Sequence, residues 1–177
     1  MCSKLQNKYK IGVVVNDPSP DTETRLKKVL ACDSVTAVST GGCPDRAIGE
    51  NITSNLLACE ELTVKHSCNL IFVLSGGVST NMDFSRELVD YSIFCLDVAG
   101  GEALPSKGGA GVAQSDVLLI NKTDLAETMG VSLEVMVSSA QEVRGGRGTV
   151  ILTQGRNGVG INAVIEQIES VYHLNAF

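Results

Sequence analysis

Asn121, Lys122, Thr123 and Asp124 follow directly on the apolar run Val117 to Ile120. A carboxylate can accept two adjacent donors at once, and guanine presents such a pair in its ring N–H and exocyclic amine, whereas adenine does not. Asp124 is therefore the candidate base reader. The aliphatic stem of Lys122 could cover the base, and Asn121 could tie this loop to a neighbour. The plainer alternative is a strand-to-helix turn capped by polar residues. A second loop, Thr153-Gln-Gly-Arg-Asn-Gly158, follows another β-branched run, and Gln154 and the amides after it could approach the guanine carbonyl from the other side. An ordinary glycine-rich turn explains that loop equally well.

Cys43 and Asp45 lie in Gly41-Gly42-Cys43-Pro44-Asp45. One thiolate and one carboxylate make half of a tetrahedral or square-planar metal site, and a two-fold dimer would supply the rest. A tight turn around a buried thiol is the competing account. His66 and His173 fall near the ends of candidate helices, where capping or solvation is the simpler role. Asp17 and Lys107 are candidate polar contacts on the magnesium side of a bound nucleotide, though neither lies in a context that would organise the ion. Nowhere in the sequence does G-x-x-x-x-G-K-[ST] occur, the string whose backbone amides and lysine cradle nucleotide phosphates. Lys107 precedes Gly108 and Gly109 in the reverse order, with no hydroxyl residue after them to face a magnesium ion.

Short continuous apolar runs alternate with segments of helical period, the pattern of crossover units on a parallel sheet. Strands are predicted at 11–15, 35–38, 70–74, 91–98, 117–120 and 149–153, and helices at 24–31, 132–143 and 161–172. Ile52, Leu56, Cys59 and Leu62 recur at helical spacing and predict a further helix lying on the sheet. The fold class is α/β, doubly wound. Glycines gather in four loops that each follow a strand candidate, and open parallel sheets place their ligands outside those strand ends.

The chain has 177 residues, 44% of them hydrophobic and 19% charged, enough for a single domain over 1–177 with its own core. With 14 basic and 20 acidic side chains the net charge is −6, which argues against nucleic acid as a partner. No apolar run is long enough to span a membrane or to serve as a signal peptide. The six cysteines, at 2, 32, 43, 59, 68 and 95, include no CxxC pair, so a reduced cytoplasmic protein is expected, with Cys59 and Cys95 acting as small buried hydrophobes.

Several longer strings carry a family resemblance: VVND at 14–17, STGGCPDRAIGEN at 39–51, SGG at 75–77, FSRELVDY at 84–91, LDVAGGEALPSKGGAGVAQSDVLLINKTDLA at 96–126 and GVGINAVIEQIE at 158–169. The chain resembles the urease accessory G proteins, the nickel-delivery GTPases of urease maturation, and more distantly the hydrogenase nickel chaperones. The resemblance implies a cytoplasmic P-loop NTPase-type fold that takes GTP, magnesium and nickel. It also implies a homodimer formed through nickel at a Cys-Pro-His motif, and urease and its other accessory proteins as partners.

Departures from that pattern fall on the chemistry. Asp45 stands where the family has His, and Leu74-Ser-Gly-Gly-Val-Ser79 stands where it reads E-S-G-G-D-N, so the magnesium-side acid is replaced by Leu74. Ser106 and Ala110 replace an Arg and a Pro. Relative to the family, the chain starts about midway through the helix that follows the phosphate loop, without the first strand and the loop itself. The expectation is a sheet with unpaired edges on both neighbours of that strand. The sequence thus reads as a relative in which GTP hydrolysis is lost. The alternatives are a non-catalytic module docking with urease assembly factors, or a fragment of a longer GTPase.

Overall fold

The computed structural model describes residues 1–16, 20–30, 34–38, 52–75 and 88–175. Asp17, Cys43 and Asp45 lie outside them. The chain divides into two compact units, 1–89 and 90–177.

The first unit is built on β1 (Ile11–Asn16), whose six residues are all buried. Ile-Gly-Val-Val-Val-Asn is a continuous run, as a strand covered on both faces requires. β2 (Val35–Ala37) and β3 (Leu70–Ser75) flank it, both parallel, in the order β2-β1-β3. A short helix α1 (Cys2–Leu5) precedes β1, α2 (Pro20–Leu30) lies between β1 and β2, and α3 (Ile52–His66) precedes β3. Gly12, Val14 and Asn16 alternate onto the face of β1 that meets α3. A Cβ on Gly12 would come within 3.1 Å of Leu62 and 3.2 Å of Cys68, Val14 packs in the cluster with Ala58 and Leu62, and Asn16 bonds Asn55. Gly12 is thus the place where helix and strand approach most closely.

That geometry corrects the predicted face of α3. The buried stripe is Asn55, Ala58 and Leu62, while Leu56 is 47% exposed and Cys59 only half-buried. Hydrophobicity favoured Leu56. Asn55 goes inside because Asn16 at the end of β1 supplies its hydrogen-bonding partner, which a one-dimensional periodicity cannot register.

The second unit repeats the scheme with β4 (Ile93–Asp97), β5 (Val117–Asn121) and β6 (Thr149–Thr153), all parallel and in that order. Helix α4 (Ala110–Gln114) connects β4 to β5, α5 (Leu133–Arg144) connects β5 to β6, and α6 (Ile161–Asn175) follows β6. Leu118 and Ile120 on one face of β5 meet α4 and α5, packing with Val112, Ala140 and Met136. Ser132 caps α5, its hydroxyl accepting from Val135 N at 3.3 Å. Gly145 ends the helix in the left-handed conformation. Val164 and Ile168, one turn apart, are the buried side of α6.

All six predicted strands form, most of them shifted at the boundaries by one or two residues: β1, β3 and β5 each extend one residue further, and Val98 leaves β4 for a 3₁₀ turn. Within their units β3 and β4 each have a single strand partner. Cys95, expected inside, is exposed: β4 is an outer strand of its sheet, and the alternation that buries Leu96 turns the thiol to the opposite face. Enough of the fold still surrounds the sulfur that desolvation raises the thiol pKa, as does the nearby Asp97 charge. No helix among the described residues is long and apolar enough to cross a membrane.

Candidate nucleotide site at the strand ends of the second unit

The three strands of the second unit end in register. Asp97, Asn121 and Thr153 lie side by side in the last paired row, so parallel pairing puts a carboxylate, an amide and a hydroxyl at one sheet edge. This is the position where open parallel sheets bind ligands.

Asn121 joins two of the loops that leave this row. Its side-chain oxygen accepts from Gly155 N at 2.9 Å and from Thr153 Oγ1 at 3.1 Å. Thr123 returns the connection, its hydroxyl donating to the Thr153 carbonyl at 3.3 Å. The turn 122–125 and the loop 153–159 are therefore one hydrogen-bonded assembly. The sequence expectation that Asn121 ties neighbouring loops together agrees with these contacts.

Asp124 is exposed within the 3₁₀ turn Thr123–Leu125, and its carboxylate accepts no protein hydrogen bond among the described residues. An acceptor with four lone-pair positions is left to solvent beside an organised loop. Gln154 lies across the assembly and closes its own loop. Its N–H donates to the Val159 carbonyl at 3.0 Å, while its side-chain oxygen accepts from Asn157 Nδ2 at 3.1 Å. Two of the loop amides are thus committed, Gly155 to Asn121 and Asn157 to Gln154. Among the described residues, those of Arg156 and Gly158 are not.

Lys122 adopts the left-handed conformation, φ 62° and ψ 39°, uncommon for a residue other than glycine or asparagine. Its ammonium pairs with Asp97 Oδ2, while Asp97 Oδ1 accepts from Ala99 N at 2.9 Å and caps the turn Val98–Gly100. Partial burial pushes the Asp97 carboxyl up, but the Lys122 hydrogen bond, the Ala99 N–H and the ammonium charge outweigh it and hold it below its ordinary value. The same hydrogen bond and the Asp97 charge raise Lys122 above the usual lysine value. Asp97 was missed in the sequence reading. Its signal was a carboxylate ending a strand candidate just before a glycine-rich loop.

The glycine-rich segment after β4 is fastened elsewhere. Glu102 accepts from Ser132 N at 3.2 Å, and Gly111 packs against the Phe94 ring. Lys107 ends the 3₁₀ turn Pro105–Lys107 and is exposed, and no hydrogen bond or ion pair among the described residues joins it to the 122–125 turn. Leu74, near the end of β3, is 39% exposed and offers no polar side-chain atom. Among the described residues no three His, Cys, Asp or Glu side chains cluster as a metal site.

Residues 1–150 match the description CobW/HypB/UreG, nucleotide-binding domain. The chain belongs to this family. It is a family of metal-insertion GTPases, and the α/β architecture with parallel sheets is its P-loop NTPase-like fold. Among solved structures, the hydrogenase maturation factor HypB from Archaeoglobus fulgidus is similar with a TM-score of 0.72 at 19% identity, over 96% of this chain and 79% of that one. HypB from Helicobacter pylori, in complex with nickel, is similar with a TM-score of 0.73 at 15% identity, over 98% of this chain and 82% of that one.

Proposed function

We propose that this member of the family binds guanine nucleotides through the second unit and serves in nickel delivery to urease without hydrolysing GTP itself. The observation that carries guanine binding is the Asn121 bridge. It organises the 122–125 turn against the 153–159 loop while the Asp124 carboxylate stays open to solvent. Asp124 accepts the two donors of the base, Lys122 covers it, and Gln154 shapes the loop on its other side.

The urease role rests on the motif strings, above all the long one at 96–126. Nickel is cargo in this reading, with Cys43 and Asp45 as its ligands in a homodimer, and urease and its accessory proteins as the partners in the cytoplasm. Asp17 and Lys107 are proposed polar contacts on the magnesium side of the nucleotide. Loss of hydrolysis is supported by Leu74, which stands where the resembled proteins carry an acid.

Calorimetric titration with GDP, GTP and ATP tests the base assignment. Guanine nucleotides should bind and ATP should not, and Asp124→Asn should weaken GDP by ~1.5–3 kcal/mol while improving the xanthosine analogue. Equal affinity for ATP and GTP would remove Asp124 as the reader. Light scattering with one equivalent of nickel, on the parent and on Cys43→Ala, tests the metal assignment. A nickel-induced dimer that survives Cys43→Ala contradicts it.

A further inference from the structure

Lys122 is held by two constraints that the sequence motif does not mention: a left-handed backbone and an ion pair to a different strand. A lysine in that conformation is disfavoured by steric contact of its Cβ with the backbone. The turn it begins is short, closed by Leu125 N donating to the Lys122 carbonyl at 2.9 Å and Ala126 N to the Thr123 carbonyl at 3.3 Å. Something outside the turn must hold it in place, and Asp97 is suited to do so. It ends β4 in the row of Asn121, one carboxylate oxygen fixed by Ala99 N and the other facing the ammonium.

We propose that Asp97 is the positioning residue of the base-reading turn, holding Lys122, and through it Asp124, in place while capping the loop that leaves β4. The proposal rests on the guanine-binding reading for its functional consequence, and on the geometry alone for its structural one. Asp97 touches no base in this arrangement. Its effect passes through Lys122, so the two loops leaving β4 and β5 are coupled at a single carboxylate.

Two substitutions separate the roles of that carboxylate. Asp97→Asn keeps an oxygen to cap Ala99 and loses the charge facing Lys122. Asp97→Glu keeps the charge, and its extra methylene weakens the cap. Lys122→Met removes the ammonium and keeps the stem. Hydrogen exchange at the Leu125 and Ala126 amides, measured without nucleotide, and affinity for fluorescent GDP are the two readouts.

An exposed ion pair of this kind predicts that Asp97→Asn speeds exchange in the turn, and weakens GDP, by roughly two- to fivefold. Lys122→Met should do the same, the double variant no more than either, and Asp97→Glu should stay near the parent. Unchanged exchange in Asp97→Asn, additive effects in the double variant, or GDP affinity that follows the cap and falls only in Asp97→Glu would each overturn the proposal. If the parent binds no GDP, the guanine reading fails, and the exchange comparison still decides the role of Asp97.

Discussion

Asn16 and Asn55, 39 residues apart and both fully buried, exchange hydrogen bonds in both directions. Asn16 Nδ2 donates to Asn55 Oδ1 at 2.7 Å, and Asn55 Nδ2 donates to Asn16 Oδ1 at 3.0 Å. Asn16 also donates to the Leu74 carbonyl at 3.4 Å, so the last residue of β1 holds both α3 and β3. Replacing one asparagine by leucine removes both hydrogen bonds of this buried pair, at about 1–3 kcal/mol. Asn16→Leu and Asn55→Leu should each lower the urea midpoint, and the double variant should lose less than the sum of the two. Strict additivity would mean that the amides do not support each other.

Arg144 should be the most sensitive single position of the second unit. The residue is 1% exposed, and its guanidinium donates to the Val112 carbonyl at 2.6 Å, the Ser115 carbonyl at 2.7 Å and the Arg147 carbonyl at 2.9 Å. It closes the α4–β5 turn onto the end of α5. Gly148 depends on the same arrangement: its φ is +64°, and a Cβ there would strike the Asp116 carbonyl and the guanidinium. Arg144→Met should cost at least ~3 kcal/mol through stranded carbonyls, with Arg144→Lys rescuing little because an ammonium cannot reproduce the fork. Thermal unfolding measures both, and a loss below ~1 kcal/mol would show that water replaces the guanidinium.

The Asp97–Lys122 pair sets a direction for pH dependence. The folded-state pKa of Asp97 is depressed, so its contribution is present above the unfolded carboxylate value and is lost as pH falls through the folded one. That of Lys122 is raised, so its contribution is present below the unfolded lysine value and is lost as pH rises through the folded one. Both side chains are well exposed, 39% for Asp97 and 52% for Lys122, and salt should weaken the effect. Asp97→Asn should flatten part of the acid limb of a stability profile measured at low ionic strength. A parent and variant with superimposed acid limbs would show that the pair adds nothing to stability.

Purified protein should release no phosphate from GTP above a blank, with magnesium and nickel present. Phosphoryl transfer requires the phosphates to be held and their developing charge neutralised, and each lost preorganised donor raises the barrier by ~2.7–4 kcal/mol. Turnover abolished by Asp124→Ala would show that the chain holds a phosphate site of another kind.

β3 and β4, Leu-Ile-Phe-Val-Leu-Ser and Ile-Phe-Cys-Leu-Asp, carry no proline or lysine to protect an outer strand. Light scattering over a concentration series should therefore show growing average mass. A monodisperse monomer at the highest concentration would mean that these edges are covered.

The run Val117 to Ile120 and the polar tetrad after it were enough to place a strand, its end and a candidate base reader, because burial and backbone pairing act on consecutive residues. The six strands were legible for the same reason: their apolar runs are short and continuous, and four of the six lead into a glycine-rich loop. Three features depended on residues far apart in the chain. The inward face of α3 was decided by Asn16 reaching Asn55, the support of Lys122 by Asp97 on the neighbouring strand, and the place of Cys95 by β4 being an outer strand of its sheet. Each is a pairing between side chains or strands that only the folded chain brings together. A sequence gives the valence of a polar side chain, and the tertiary structure chooses the partner that satisfies it.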